Sequence, residues 1–141
     1  DPIANGSFFP AIDPAAIRDA QRIDSTITAG RLRDALIEAM ASVNADLADW
    51  RDAQIAAGKT TLAATNATEI DGQSVNLHRY RRAVGCQAKA TLLERYRDFD
   101  SAARGDRKAE ALADPIDDLR RDAAWAISDI RGVRRTTVEL I

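Results

Sequence analysis

Apolar residues recur every three or four positions over long stretches of this chain, which predicts amphipathic helices. The most regular stretch follows Thr28, a good helix-capping residue, and runs to about Ala57, with Gly58 as a left-handed stop. Its apolar positions are Leu32, Leu36, Met40, Val43, Leu47 and Trp50. One helix of this length would span about 45 Å, so we expect it either to brace the whole domain or to project beyond it.

A second helix is predicted within 71–98, and we expect it to be the centre of the fold. Its larger apolar residues share one face, namely Leu77, Tyr80, Val84, Leu92 and Tyr96, with Ala88 between them. Small residues form an adjacent stripe of Ala83, Cys86 and Ala90 next to Gly85. Because small side chains let another helix approach closely, this helix should have neighbours on more than one side. Close packing would offset the cost of a helical glycine, about 1 kcal/mol.

Two Asp-Pro pairs predict helix starts, since proline is favoured at the first helical position. Asp13-Pro14 should begin a short helix that ends near Asp24, with Ile17 and Gln21 facing inward. Asp114-Pro115 should begin the last helix, which ends at Gly132. Its core-facing residues are Ile116, Leu119, Ala123, Ile127 and Ile130, whereas Trp125 lies off this stripe and marks either a second contact or an outer surface. Residues 99–113 are interpreted as a polar linker around Gly105.

The segments outside these helices leave two alternatives open. Residues 1–12 carry Phe8 and Phe9, which either fold back on the domain or dock on a partner. Residues 59–70 form a connector without helical period. Asp71-Gly72 is either a helix cap, which we favour, or the turn of a β-hairpin.

The last residues change character, because β-branched residues dominate and Thr136, Val138 and Leu140 alternate with Thr137, Glu139 and Ile141. This pattern is typical of a strand, yet no second convincing strand is evident in the sequence. An orphan strand at a terminus usually pairs with another molecule. The predicted fold is therefore all-α: a four-helix-bundle-like connector domain over 13–132, an extended N-terminal arm over 1–12 and a strand-forming C-terminal tail over 133–141.

Composition and charge narrow the function classes. Of 141 residues 45% are hydrophobic but only 5% are aromatic, which suits closely packed helices. The net charge of -2 argues against a general nucleic-acid binder. Charge is nevertheless polarised: 71–98 holds six Arg or Lys and three Asp or Glu, whereas 106–129 holds four and seven. No apolar run approaches the ~18 residues that span a membrane, so no membrane partner is expected.

The residues that carry catalytic or metal chemistry do not form a recognisable pattern. The single histidine, His78, and the single cysteine, Cys86, stand apart, and we interpret the cysteine as a packing residue. The acidic pair Asp117-Asp118 suits the start of a helix better than a catalytic dyad. No phosphate-binding glycine loop or CxxC motif occurs. We therefore predict no enzyme, no metal and no cofactor.

Three arginines of the central helix are the candidate binding residues. Arg79, Arg81 and Arg82 either form a solvated face or contact phosphates or an acidic partner, where a guanidinium binds two oxygens at once. Residues 79 and 82 lie three apart and share a helix face, whereas 81 points elsewhere. At most two of them can serve one contact.

Three segments carry a family resemblance: RIDSTITAGRLRDALIEAMASVNADLADWR, NLHRYRRAVGCQAKATLLERYRDFD and DDLRRDAAWAISDIRGVRRTTVELI. Together they resemble the head-completion protein (GPL) family of peduovirus-type contractile-tailed phages, in one register from about Ile23 to Ile141. The N-terminal arm and the 101–115 linker match less well, and Pro115 departs from the expected pattern.

The resemblance implies a structural virion protein that is assembled in the host cytoplasm and docks beneath the portal vertex after DNA packaging. It implies a ring of copies, twelve by analogy, that extends the channel for the packaged DNA and offers a platform to the next neck or tail-completion protein. Under this reading Arg79, Arg81 and Arg82 face the DNA channel or a neighbouring subunit. The portal-binding residues would be Arg134, Arg135, Thr136, Thr137, Val138, Glu139, Leu140 and Ile141. The alternative from another class is a monomeric helical adaptor or regulator that binds a host protein.

Overall fold

A computed structural model describes residues 1–104 and 106–134, with the backbone alone over 98–104 and 106–114. This part is mostly helical, as predicted. It contains the helices α1 (Pro14–Ala20), α2 (Ala29–Asp46), α3 (Ala48–Ala56), α4 (Val75–Arg104) and α5 (Asp106–Arg131). A 3-10 turn at Ala63–Thr65 precedes an antiparallel hairpin of β1 (Glu69–Ile70) and β2 (Gln73–Ser74).

The predicted helix ends are confirmed at four positions. The Asp13 carboxylate accepts the N–H of Ala15 at 3.1 Å, and the Thr28 hydroxyl accepts the N–H of Arg31 at 3.2 Å. Each bond satisfies a donor that the first helical turn leaves without a partner. Gly58 and Gly132 take φ values of 90° and 72°, the left-handed region in which a glycine ends a helix without strain.

Helix α4 is the centre of the fold, since it packs against α1, α2 and, most extensively, α5. Both of its predicted stripes are buried. Tyr80, Val84 and Ala88 face α2 and the N-terminal segment, and the small residues Ala83, Cys86 and Ala90 are covered as well. The exceptions are Leu77, which is half-buried, and Tyr96, which is 45% exposed. Helix α2 begins only at Ala29, which lies beside the turn of α4 that runs from Leu92 to Tyr96. Helix α2 therefore leaves Tyr96 uncovered.

Residues 1–12 fold back on the helices, the first of the two alternatives. A backbone bridge joins Ile3 and Ile12, with N···O distances of 2.7 and 3.0 Å. It closes a loop that buries Phe8 and Phe9 to 6% exposure. The ring of Phe9 stacks on Tyr80 with 5.1 Å between centroids, and Phe8 meets Trp50 edge-on at 6.2 Å. The segment is therefore part of the hydrophobic core.

The single helix predicted over 28–57 is wrong in one respect: it divides into α2 and α3 at Leu47. The backbone of Leu47 leaves the helical region (φ −98°, ψ 2°), while its side chain remains fully buried. The apolar spacing continues across this break because Trp50 still packs against the core. A pattern of buried positions therefore does not reveal where a helix changes direction.

The favoured interpretation of Asp71-Gly72 as a helix cap is also wrong. Both residues have positive φ, 55° and 75°, and form the two-residue loop of the β1–β2 hairpin. This geometry matches the type I′ turn, for which Asp-Gly is a favoured pair. Helix α4 starts after the hairpin, at Val75.

The linker predicted over 99–113 and the helix start at Asp114-Pro115 are both wrong. The described backbone is helical up to Arg104 and again from Asp106, and Pro115 lies inside α5. A proline inside a helix costs about 3 kcal/mol. The surrounding alanines, arginines, lysine and glutamate are good helix formers, and pairing with α4 extends the helix beyond what propensity alone would support.

Candidate interaction surfaces

Arg79 is engaged within the chain. Its guanidinium donates hydrogen bonds to Asn76 Oδ1 at 3.1 Å and to the main-chain carbonyl oxygen of Asp129 at 3.4 Å. The latter oxygen, which also accepts the N–H of Gly132 at 3.2 Å, belongs to the last turn of α5, where a positive charge is favourable. Arg79 therefore fastens the end of α5 to the first turn of α4.

Arg81 and Arg82 have different surroundings. Arg81 donates to Gln73 Oε1 at 2.6 Å and lies beside Ile12 and Ile17. Arg82 is exposed at the mouth of a cleft of about 450 Å³, opposite Asp122 and Trp125. As the spacing predicts, Arg79 and Arg82 both lie beside α5, whereas Arg81 points elsewhere, and Arg82 is the most exposed of the three.

The predicted portal-binding segment lies almost entirely outside the described residues. Only its first residue, Arg134, is described, and it is exposed. Val133 before it is 45% exposed, and its N–H donates to the carbonyl of Ser128 at 2.9 Å. The segment therefore begins at the surface, next to the capped end of α5.

His78 and Cys86 have structural surroundings. His78 Nε2 donates to the carbonyl oxygen of Ile70 at 2.7 Å and so ties the hairpin to α4. Cys86 is 5% exposed and accepts a weak hydrogen bond from the amide of Gln21 at 3.7 Å. Burial, together with nearby Asp122, raises the pKa of the Cys86 thiol. A thiol of this kind is a poor nucleophile.

An apolar groove lies where the loop before α2 meets the far part of α4. Its volume is about 410 Å³, and its apolar lining consists of Ile27, Leu92 and Tyr96. Basic side chains surround it, with Arg31 and Arg95 on one side and Arg22 and Lys89 on the other. Arg95 is paired with Glu38 at 2.8 Å, an exposed bridge of small energetic value.

The loop that forms one wall of this groove is fixed by Arg18. Its guanidinium donates to the carbonyl oxygens of Asp24 at 2.6 Å, Ile27 at 3.0 Å and Ile23 at 3.4 Å. Lys89 adds a bond from α4 to the carbonyl of Gln21 at 2.6 Å. Charged donors to backbone carbonyls form strong hydrogen bonds, so the groove has a preformed wall.

A polar triangle joins the N-terminal loop, α2 and α4. Asn5 Nδ2 donates to the Tyr80 hydroxyl at 2.7 Å, which donates to Asn44 Oδ1 at 2.6 Å. Asn44 Nδ2 completes the triangle by donating to Asn5 Oδ1 at 2.9 Å. Burial raises the pKa of Tyr80 to about 12, against the opposing effect of the two asparagines.

Sequence reasoning missed both the triangle and the groove. The signal for the triangle is Asn44, an amide next to buried Val43 on the apolar side of α2. The groove had no comparable signal, because Ile27 lies in a loop and Tyr96 fits the core stripe. Its existence follows from the different lengths of α2 and α4.

Neither a metal site nor a membrane span is found in the part of the chain that the structure describes. No three His, Cys, Asp or Glu residues converge there in a way that would hold a metal ion. None of the described helices combines the length and apolar character needed to cross a bilayer. The described residues form packed helices and a short hairpin.

Comparison with known proteins decides the family. The family model for the phage head completion protein (GPL) matches residues 3–141. The chain belongs to the phage head completion protein (GPL) family. It is also similar to the head completion/stabilization protein of Escherichia phage P2, with 45% identity over 139 residues that cover 99% of this chain and 82% of that protein. No solved structure matches the chain.

Membership in the GPL family confirms the resemblance described above. The match extends over the N-terminal loop and the C-terminal segment as well as the helices. A head completion protein is a structural phage protein, which favours the prediction that this GPL family member is not an enzyme.

Proposed function

We propose that this protein docks beneath the portal vertex after DNA packaging, as a bundle-like helical connector in the neck of the virion. There it completes the head, extends the DNA channel and forms a platform for the next neck or tail-completion protein. The observation that carries this proposal is the match to the head completion family from residue 3 to residue 141. Assembly takes place in the host cytoplasm, before the tail is joined.

The C-terminal segment, residues 134–141, is proposed as the main portal-binding element. Its strand-like alternation suits addition to the edge of a portal sheet, with Val138 and Leu140 on one face. It begins at the exposed end of α5, so it can leave the helical domain without disturbing the core. Deletion of 134–141 should therefore barely change thermal stability and should abolish assembly on the portal.

The three arginines receive different roles in this proposal. Arg82, exposed beside a cleft, is the candidate for contact with the packaged DNA or with a neighbouring subunit. Arg81 is the second candidate, and its contact to Gln73 is at the surface. Arg79 holds the end of α5, so Arg79→Ala should lower the free energy of unfolding by about 1 kcal/mol, whereas Arg82→Ala should leave it unchanged and weaken docking or DNA retention.

Ring formation is proposed to depend on the portal. The predicted state of the free chain is a folded monomer or weak oligomer, and about twelve copies assemble only on the vertex. Light scattering of the free chain at micromolar concentration checks this. A stable dodecamer in solution would contradict it.

Electron microscopy of the chain mixed with purified cognate portal tests the whole proposal. We expect a ring of extra density on one end of the portal. The chain truncated after residue 133 serves as the matched control and should leave portals bare. Portals that stay undecorated by the full chain would refute the proposed function, and normal decoration by the truncated chain would refute the role of the C-terminal segment.

A further inference from the structure

The Asn5-Gly6 pair in the N-terminal loop is chemically distinct from the other asparagines of the chain. Four asparagines occur, and only Asn5 is followed by glycine, whereas Asn44, Asn66 and Asn76 precede alanine or leucine. An asparagine side chain can be attacked by the main-chain nitrogen of the following residue, and the attack is least hindered where that residue carries no Cβ. The sequence therefore indicates that Asn5 has the most reactive of the four amides.

The reaction is a deamidation that needs only water. The Gly6 nitrogen gives up its proton to a solvent base and forms a bond to Asn5 Cγ, the bond from Cγ to Nδ2 breaks, and ammonia leaves. Water then opens the resulting succinimide ring at either carbonyl, which leaves aspartate or isoaspartate at position 5. The chain thus loses ammonia, gains water and acquires a carboxylate, without oxidation or reduction.

The folded chain holds the reacting amide through three hydrogen bonds. Asn5 Nδ2 donates to the Pro10 carbonyl at 2.8 Å and to the Tyr80 hydroxyl at 2.7 Å. Asn5 Oδ1 accepts from Asn44 Nδ2 at 2.9 Å. Both N–H donors of the amide are therefore used. Attack at Cγ makes this carbon tetrahedral and displaces its nitrogen and its oxygen, so the three bonds oppose the reaction.

The attacking nitrogen, by contrast, is open to solvent. Gly6 is exposed and lines a cleft of about 610 Å³ that Arg51 and Asp52 also border. Among the described residues no group accepts the N–H of Gly6. A solvent base can therefore reach this nitrogen in the folded chain. The restraint on the reaction lies in the Asn5 side chain and not in access to the backbone.

Neither product fits the site that Asn5 occupies. An ionised aspartate has no donor for the Pro10 carbonyl, and its own oxygen would face the Pro10 oxygen at hydrogen-bond distance. Isoaspartate leads the main chain through the former side chain and lengthens the loop that the Ile3–Ile12 bridge closes. Both changes weaken the attachment of the N-terminal loop to the core.

We infer that Asn5-Gly6 is a modification site that the polar triangle keeps inactive, so that Asn5 deamidates only in chains whose N-terminal loop has detached. Local openings of this kind need less free energy than global unfolding. When they are fast, the rate of an irreversible reaction follows the population of the open form. Because the product hinders the loop from docking again, a reversible opening becomes permanent. The inference goes beyond the proposed function and does not rest on it.

Peptide mapping by mass spectrometry over a time course at pH 8 tests the inference. The Asn5 peptide should deamidate at least about tenfold more slowly in the folded chain than in urea, because the three bonds restrain it. Tyr80→Phe removes one of these bonds and should raise the rate in the folded chain about tenfold. Equal rates in the folded chain and in urea overturn the inference, and so does an unchanged rate in the Tyr80→Phe chain.

A chain with Gly72→Ala controls for the loss of global stability. Gly72 has a φ of 75°, so alanine strains the hairpin turn. None of the hydrogen bonds of the polar triangle involves the hairpin. Asn5 should therefore deamidate in this chain at the rate of the unaltered one. An acceleration in proportion to the lost stability would show that the reaction requires global unfolding, and it would overturn the inference.

Amide hydrogen exchange of an Asn5→Asp chain, which is one of the two products, tests whether the modified loop still docks. The Leu62 N–H donates to the Phe8 carbonyl at 2.8 Å and reports the position of the loop. Its exchange should be about tenfold faster in the Asn5→Asp chain at neutral pH. The Val75 amide, bonded to the Thr68 carbonyl at 2.9 Å, is the reference and should not change. Unchanged exchange of the Leu62 amide overturns the inference, since modified chains would then close as before.

Discussion

The hydroxyl group of Tyr80 offers a sharp test of how the N-terminal loop is held. This side chain is fully buried, and its oxygen accepts from Asn5 at 2.7 Å and donates to Asn44 at 2.6 Å. Tyr80→Phe removes one atom and preserves the stacking on Phe9. Asn5 keeps a second acceptor, the carbonyl of Pro10 at 2.8 Å, whereas Asn44 Oδ1 loses this donor.

The expected cost follows from these bonds. An intramolecular hydrogen bond contributes about 1 kcal/mol net, and a polar group left without its partner in a buried site costs about 1 to 3 kcal/mol. Asn5 still donates to the Pro10 carbonyl in this variant, so only Asn44 is left without its partner. We therefore expect Tyr80→Phe to lower the free energy of unfolding by about 2 kcal/mol at pH 7. For a domain of this size the melting temperature should fall by about 6 to 10 °C.

Alkaline pH should reduce this difference in stability between the two chains. The pKa of Tyr80 is raised to about 12 in the folded chain, against 10.0 for an ordinary tyrosine. Between these values the unfolded chain has already lost a proton that the folded chain retains, so stability falls as the pH rises. By pH 12 the loss approaches about 2 to 3 kcal/mol, and it is absent from the Tyr80→Phe chain.

Urea unfolding of both chains at pH 7 and at steps from pH 9 to pH 11.5 measures these effects. The two stability curves should converge as the pH rises, since only the unaltered chain carries the titration of Tyr80. Asn44→Ala, alone and together with Tyr80→Phe, completes a double-mutant cycle and should show a coupling of about 1 kcal/mol. Equal stability of the two chains at pH 7 and parallel slopes above pH 10 would refute the buried triangle.

Three further outcomes are expected. Gly72→Ala should destabilise the chain by about 1 kcal/mol in urea unfolding, because the turn requires positive φ. The control Gly30→Ala should be neutral or slightly stabilising, because Gly30 lies in the first turn of α2 with open space around an added Cβ. Equal effects of the two substitutions would contradict the hairpin. Gly85→Ala should change stability by less than about 1 kcal/mol, since the new methyl group meets only the flexible side chain of Gln21 at 3.1 Å. In a chain that also carries Gln21→Ala, the same substitution should stabilise the protein by about 1 kcal/mol, the difference in helix propensity between alanine and glycine. Cys86 should react with a thiol reagent at pH 8 at least tenfold more slowly in the folded chain than in urea, and fast labelling of the folded chain would show that the α4–α5 contact opens.

The mostly helical character and four of the helix ends could be predicted from local residues. The caps at Asp13 and Thr28 and the left-handed stops at Gly58 and Gly132 depend on side-chain and backbone properties within one helical turn. The two stripes of α4 also follow from the sequence, because helical period and side-chain size determine which positions can be buried. The segments that carry the family resemblance include these helices.

Other features depend on contacts between distant residues. The break at Leu47, the continuation of α4 and α5 through 99–113 and the burial of Phe8 and Phe9 are all determined by packing partners far away in sequence. Short hairpins such as β1–β2 are equally difficult to predict, since Asp71-Gly72 fits both a helix cap and a turn. The bonds that hold the hairpin in place include those from His78 to Ile70 and from Ser74 to Asn66, which join residues eight apart.

The candidate contact residues show the same division. Sequence spacing correctly separates Arg81 from Arg79 and Arg82, because the angle between positions on a helix is a local property. It does not show that the Arg79 guanidinium binds the end of α5, or that Arg82 stays exposed. Local geometry thus determines the direction in which a side chain leaves its helix, and the tertiary structure decides what it meets there.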